Sequence, residues 1–452
     1  MSLQVSRILH AGYIFESEGF KIAFDPLFES PFSRNCFAFP PVQFKINEIQ
    51  KLQLSAVFIS HYHDDHCSLE SLVLLDRATP LFVFCIHEEL FSMIRELGFT
   101  HVHSLQLNRT IDIGPFKITP RRALDADVDS LFHIQVHGIN ILNVVDSWIG
   151  PETFSLLQEH APWDLVLWPF QTMRELEVIA PTRFPSAPPE IPIEWLEQLQ
   201  LLKPNILVPS SCQFQMEPWS WYNKKFFPIS YEFFEKTVQS ILPATRVLRI
   251  DPSQSYEINQ SGEITGACSL EWIISLSSAD LDYDYEADFD PPATAQIARN
   301  FPALEQTQLQ RVTDYCNSGL LEKYRSLEIP ADSYFGKRRL WKLSLFDHLG
   351  TETAFYYSIF QSTIAKVAES ESKETLAWTT EIPTARLFGA LESGESLTSL
   401  YLRINSETFS PETEAELSDA DILEDPLLQC LYSCVFGSYQ RAQLKRILKS
   451  SL

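Results

Sequence analysis

The sequence predicts a layered α/β protein, a sandwich of sheets with helices outside, followed by a smaller α+β domain. Three features predict it: a β-hairpin at the start, alternating strand and helix signals through the middle, and a change of texture beyond about residue 256. At 452 residues the chain exceeds what one hydrophobic core usually supports, so two domains or one large domain with an appendage are expected. The expected boundaries are 1–260 for the first domain, 261–292 for an acidic linker and 293–452 for a C-terminal accessory domain.

The elements follow in order. LQVSRILHAGYIFE and FKIAFDP read as two short strands joined at Ser17-Glu18-Gly19, a polar turn between apolar alternations. After a Pro- and Phe-rich loop from Pro31 to Pro41, Ser55 to Ser60 forms a short apolar strand that runs straight into His61. LFVFCI is a strand, HEELFSMIRELG an amphipathic helix ending at Gly98, and FKITPRRAL and LFHIQVHGINILNVVD are strands. PETFSLLQEH is a helix, while WDLVLWPF and NILVPSS are buried strands. The alternation ADLDYDYEADFDPP suits an exposed strand or linker; it lacks the Gly-punctuated pattern of a calcium loop. Beyond it come helical stretches (AQIARNF, LQRVTDYCNSGLLEKYRSL), a strand set (RRLWKLSLFD, AFYYSIFQS), an apolar patch at Pro383 to Leu391 and a closing helix.

Composition narrows the function classes. An apolar fraction of 45% and a charged fraction of 21% are those of an ordinary globular protein. The 35 Lys+Arg against 59 Asp+Glu give a net charge of −24, which repels nucleic-acid backbone and anionic lipid, so no nucleic-acid partner is expected. Eight cysteines (Cys36, Cys67, Cys85, Cys212, Cys268, Cys316, Cys430, Cys434) form no CxxC pair and lack the density of a secreted disulfide scaffold, which fits a cytoplasmic protein with reduced thiols. No apolar run reaches the length of a membrane span, and the N-terminus has no charged region followed by an apolar one.

The chemistry concentrates in Ile59-Ser60-His61-Tyr62-His63-Asp64-Asp65-His66, where three imidazoles and two carboxylates fall within six residues at the end of an apolar strand. Imidazole and carboxylate are borderline and hard ligands suited to Zn, Fe or Mn, and a loop leaving a strand can turn several side chains toward one point. Such density points to a bound divalent metal, one or two ions.

HxHxDH after an apolar strand resembles the signature of the metallo-β-lactamase superfamily. The resemblance implies a four-layer αββα sandwich, with His61 and His63 on a first metal, Asp65 and His66 on a second, and a later Asp bridging both. His10-Ala11-Gly12 and Asp25-Pro26 resemble the ascorbate-6-phosphate lactonase-like branch. The segment from Lys203 to about Ile258 is similar to the metallohydrolase-like part of CMP-N-acetylneuraminate hydroxylases, without the Cys–His spacings of their Rieske domain. Asp146, at the end of LNVVDS, matches the bridging Asp, with Val145 in place of the family's Gly. Two positions depart from the pattern. Where another His is expected the chain reads Arg121-Arg122-Ala123-Leu124-Asp125-Ala126-Asp127, and Asp125 is the best substitute, with Asp127 second. Where the last His is expected, in a segment resembling Val-Ile-Pro-x-His, the chain carries Ser211, a poor replacement, which implies a second metal that is weakly held, absent, or completed by Cys212 or water. His133 and His137 read as structural.

The expected metal ligands are thus His61, His63, Asp65, His66, Asp125 and Asp146, with Asp65 also catalytic. The resemblance implies a hydrolase acting on an ester, lactone or phosphoester of a small molecule through metal-bound hydroxide. Carboxylate in place of imidazole makes the site harder, and the alternative is a diiron oxygenase supplied with electrons or substrate by a partner or carrier protein. A third reading is a non-catalytic metal-binding or assembly protein. Trp219, Trp221 and Tyr222 are candidate pocket walls, and Arg121 and Arg122 candidate anion contacts.

Overall fold

The computed structural model describes residues 2–184, 186–259, 262–277, 280–369, 376–406, 411–433 and 436–450; Cys434 lies outside them. The opening hairpin forms where Tyr13–Ser17 pairs antiparallel with Phe20–Phe24. Glu18 and Gly19 both take positive φ (52° and 81°), the left-handed geometry that matches a two-residue turn to the twist of its strands. The first expected strand is in fact two, Ser2–Arg7 and Tyr13–Ser17, paired with each other. Between them the chain folds back at His10 (φ 56°), and Gly12 is needed because a Cβ there would lie 2.9 Å from the carbonyls of Leu9 and Asp25.

Eight strands build the first sheet in the order 264–267, 255–259, 2–7, 13–17, 20–24, 56–59, 81–83, 102–104. Seven build the second: 246–247, 206–210, 165–169, 139–143, 130–136, 116–122, 111–113. Side-chain alternation then sorts the apolar residues into layers. Phe15, Phe24 and Phe58 from the first sheet and Phe132, Ile141, Leu167 and Val208 from the second share one buried cluster between the sheets. Phe24 stacks on Phe58 at 5.1 Å and meets Phe132 of the facing sheet edge-on at 4.9 Å. The alternate residues, such as Val57 and Ile59 or Leu142, Val166 and Leu207, point the other way into a cluster shared with helical Leu90, Ile94, Leu157, Leu199 and Val238. Sheet faces sheet, and helices cover both outer faces. This is the expected four-layer αββα metallo-β-lactamase sandwich.

The stretch expected as an acidic linker is docked on this sandwich. Ile264–Ala267 extends the first sheet beside Ser255–Asn259, and Ile273–Ser275 pairs with Val42–Phe44. Three Asp of the alternating segment have local uses: Asp282 accepts from the backbone N–H of Tyr231 (2.7 Å) and Glu232 (3.1 Å) at a helix start, Asp280 pairs with Arg249 at 3.0 Å, and Asp284 pairs with Lys224. The intervening Tyr283 is buried, and its hydroxyl donates to the carbonyls of Cys212 and Phe214.

Beyond it, helices at 294–298, 306–314 and 320–325 precede a five-stranded sheet in the order 363–366, 352–360, 339–346, 376–383, 403–404. The apolar patch at Pro383 to Leu391 is helix Thr384–Ser393. The closing helix Ser438–Ser450 returns to the sandwich: Gln443 accepts from Leu69 N–H (2.9 Å) and donates to Ser68 Oγ (3.0 Å), and Gln440 donates to the Tyr62 carbonyl (2.7 Å). Phe436 stacks on His87 at 4.1 Å. The seven described cysteines are free thiols. Among the described residues no helix is long and apolar enough to cross a membrane.

Candidate metal centre

Strand Ala56–Ile59 is buried on both faces and delivers the loop His61–His66 to the edge of the sandwich. The loop closes on itself through the His63 carbonyl, which accepts from His66 N–H (3.1 Å) and Cys67 N–H (2.8 Å). Behind it sits Asp25, fully buried, accepting from Ser60 N–H (2.7 Å), Ser60 Oγ–H (2.6 Å) and His66 Nδ1 (3.1 Å). With its hydroxyl hydrogen committed to Asp25, Ser60 Oγ can only accept from His61 Nδ1 at 2.9 Å. Both rings therefore carry a hydrogen on Nδ1, which leaves each Nε2 as the atom facing the centre, as outer hydrogen bonds orient metal-ligating histidines.

Two groups of ligand atoms converge there: His10, Asp65, His66 and Asp146, and beside them His61, His63 and Asp129. Asp146 lies between the groups, with Oδ2 3.0 Å from His66 Nε2 and Oδ1 4.0 Å from His61 Nε2. Asp65 Oδ2 is 3.7 Å from His66 Nε2, and Asp129 Oδ1 is 3.8 Å from His61 Nε2. Val145, standing where the family pattern has Gly, holds φ 64° and buries its side chain between the sheets. A β-branched residue in left-handed backbone is strained, and the strain aims Asp146 inward.

The electrostatics fit a cation. Burial, with the neighbouring His66, holds His61 well below the usual imidazole range, so it is neutral. Although burial opposes both shifts, His66 is pushed well up by Asp146 and Asp65, and Asp146 is held well below the usual carboxylate range by His66 and His61. Burial and then Asp146 push Asp129 up to about 6. Asp129 Oδ1 is buried and finds no hydrogen-bond partner among the described residues. Imidazole nitrogens and three carboxylates, one of them with an orphaned oxygen, aimed at one space suit one or two divalent ions.

The structure brings together His61, His63, Asp65, His66 and Asp146 of the expected set. It does not bring Asp125, which is exposed along with Asp127. The Asp125 carbonyl instead closes a turn, accepting from Asp129 N–H at 2.8 Å, and the side chain that this turn carries inward is Asp129. Cys212 also lies outside both groups: its thiol meets Met173 at 3.8 Å, while its backbone N–H donates to His10 Nδ1 at 2.9 Å. Three participants escaped the sequence reading. His10 and Asp25 stand in the hairpin motif quoted above, so that motif was the available signal; Asp129 had none beyond its charge.

A cavity of about 730 Å³ opens beside Asp146, walled by Trp148, Trp195, Met173 and Glu175 and floored by Ser211 and Cys212. Trp219, Trp221 and Tyr222 do not line it; Trp219 and Tyr222 pack on Tyr401 of the C-terminal part at 5.0 and 4.8 Å. Arg121 and Arg122 face Asn108 (2.9 Å) and Glu152 (3.8 Å). His133 sits against Trp163 and His160, and burial lowers it to about 4.

Two facing sheets with an HxHxDH loop at a strand end make this a metallo-β-lactamase fold. No family model matches the chain, and no curated protein does. Among solved structures the chain is similar to Igni18, a metallo hydrolase from Ignicoccus hospitalis, at 18% identity and a TM-score of 0.38 over 57% of this chain and 99% of that one. It is similar to CmlA, a diiron beta-hydroxylase from Streptomyces venezuelae, at 14% and 0.37 over 57% and 54% of the two chains. It is also similar to a possible metal-dependent hydrolase from Veillonella parvula, at 10% and 0.42 over 56% and 99%. Likeness at this level adds no weight, and the fold rests on strand order and the core between the sheets.

Proposed function

We propose that the protein is a dinuclear metal-dependent hydrolase that cleaves an ester, lactone or phosphoester of a small molecule. The observation that carries the reading is that Ser60 and Asp25 take the Nδ1 hydrogens of His61 and His66, which sets the two Nε2 atoms on either side of the Asp146 carboxylate. His61, His63 and Asp129 would hold one ion and Asp65 and His66 the other, with Asp146 shared. Such a pair polarises a scissile carbonyl or phosphoryl group and makes water nucleophilic near neutral pH. Asp65, at the mouth of the centre with its side chain 25% exposed, is positioned to accept a proton there. The adjoining cavity would seat the substrate, its Trp148 and Trp195 walls taking an apolar portion.

Elemental analysis of the purified protein, with an absorption spectrum on the same sample, tests this first. Zinc or manganese at one or two per chain, followed by turnover of phosphoester or lactone substrates, is the expected result. Asp129 supports a second reading, since a carboxylate where the family places imidazole hardens the site toward iron. Near-stoichiometric iron with a ligand-to-metal band would favour an oxygenase fed by an electron-donating partner. No metal after reconstitution would leave a binding or assembly role.

A further inference from the structure

We infer that His10 is a hydrogen-bond donor that positions Asp65, not a ligand, so the second metal has only Asp65, His66 and the shared Asp146 from the protein. The inference rests on the metal-centre reading above. A backbone N–H can only donate, and that of Cys212 lies 2.9 Å from His10 Nδ1. Nδ1 therefore carries a lone pair, and the neutral ring carries its hydrogen on Nε2. That Nε2–H faces Asp65 Oδ2 at 3.3 Å and His66 Nε2 at 3.1 Å, and of the two the carboxylate oxygen accepts whether or not His66 is protonated. When His66 gives its lone pair to a metal, Asp65 is the acceptor that remains. For Nε2 of His10 to ligate as well, the ring would have to shed its last hydrogen.

The ring is fixed in this orientation from every side. It is 1% exposed and lies between Phe32 and Phe214, with centroids at 5.6 and 5.7 Å. Its carbonyl accepts from Arg7, whose other amino group donates to Pro209 O at 2.9 Å. A ring flip would set carbon atoms against Cys212 N–H and Asp65, losing both bonds. The Cys212 N–H is aimed by consecutive left-handed residues, Ser211 at φ 58° and Cys212 at φ 49°. Tyr283 braces them through the Cys212 and Phe214 carbonyls. The segment that lacks the family's last His thus contributes a backbone donor that sets the tautomer of His10.

The test compares wild type with His10→Gln, His10→Ala and His66→Ala, each saturated with Zn²⁺ and counted by plasma mass spectrometry. Chelator competition gives the affinity of the weaker ion, and a ¹⁵N-histidine spectrum reads the tautomer. Both His10 variants should keep the wild-type stoichiometry while His66→Ala binds one ion fewer. Loss of an outer donor should weaken the second ion about 10- to 100-fold in His10→Ala, and much less in His10→Gln, whose amide still donates. A buried Nε2–H signal should vanish in both His10 variants. His10→Gln saturating at one ion fewer, as His66→Ala does, overturns the inference. If wild type takes up no metal, the metal-centre reading falls instead, and a His10 ring found protonated at Nδ1 would then refute the inference separately.

Discussion

At the scale of single residues, the centre depends on which carboxylate the 121–130 loop turns inward. Asp129→Ala should lower metal content at saturation, whereas Asp125→Ala should leave it unchanged, because only the backbone carbonyl of Asp125 is used; elemental analysis of the two variants reads this directly. His61→Ala and His63→Ala should lose metal as Asp129→Ala does, and Ser211→Ala should change it little. Away from the centre, the half-buried Glu29 accepts from Ser68 and Ser71 near Glu70, and burial pushes its carboxyl up from 4.5 to about 7. The folded state then holds this proton more tightly than the unfolded chain, so the group favours folding at low pH, and that contribution is lost as pH rises from about 4.5 through 7. Glu29→Gln removes the titration. Its melting temperature should match wild type near pH 4.5 and exceed it at pH 8, by an amount on the order of 2 kcal/mol of stability.

At the scale of elements, the metal loop is held from two directions. Asp25, at the end of strand Phe20–Phe24, anchors its start through Ser60, and helix Ser438–Ser450 anchors Tyr62 and the first turn after the loop. Gln443 is fully buried, and its removal leaves Leu69 N–H without an acceptor. Gln443→Ala should therefore cost about 1–3 kcal/mol. Hydrogen exchange should rise in residues 61–72 before it rises in the strands between the sheets. Unchanged protection there would show that the closing helix packs on the loop without holding it. The hairpin, the HxHxDH loop and the buried strands were legible because each is contiguous and its pattern is local. The break at His10 was not, because a fold-back between two apolar strands reads as one longer alternation until the close approach at Gly12 is seen.

At the scale of the whole molecule, the two halves share one apolar cluster: Leu72 and Met93 of the sandwich belong with Leu427 and Leu444 of the C-terminal part. The expected linker is strand and packed aromatic, and a cut near residue 292 would expose this shared surface. The cavity beside Asp146 is built from segments far apart in sequence, Trp148, Met173, Trp195 and Ser211. Under the hydrolase reading, Trp148→Ala should raise KM about tenfold with kcat and metal content nearly unchanged, since the wall contributes binding shared by ground and transition states.

The sequence by itself determined the layered α/β architecture and named five of the side chains that converge at the centre. Apolar alternation is a property of neighbours along the chain, and a loop that carries three histidines within six residues states its chemistry in place. Only the tertiary structure decided that Asp129 rather than Asp125 turns toward His61 and His63, that Asp25 sets the rings of His61 and His66, and that His10 faces Asp65. Those choices depend on which way a turn closes and which backbone N–H meets which nitrogen across some 200 residues, and such directions exist only once the two sheets have packed.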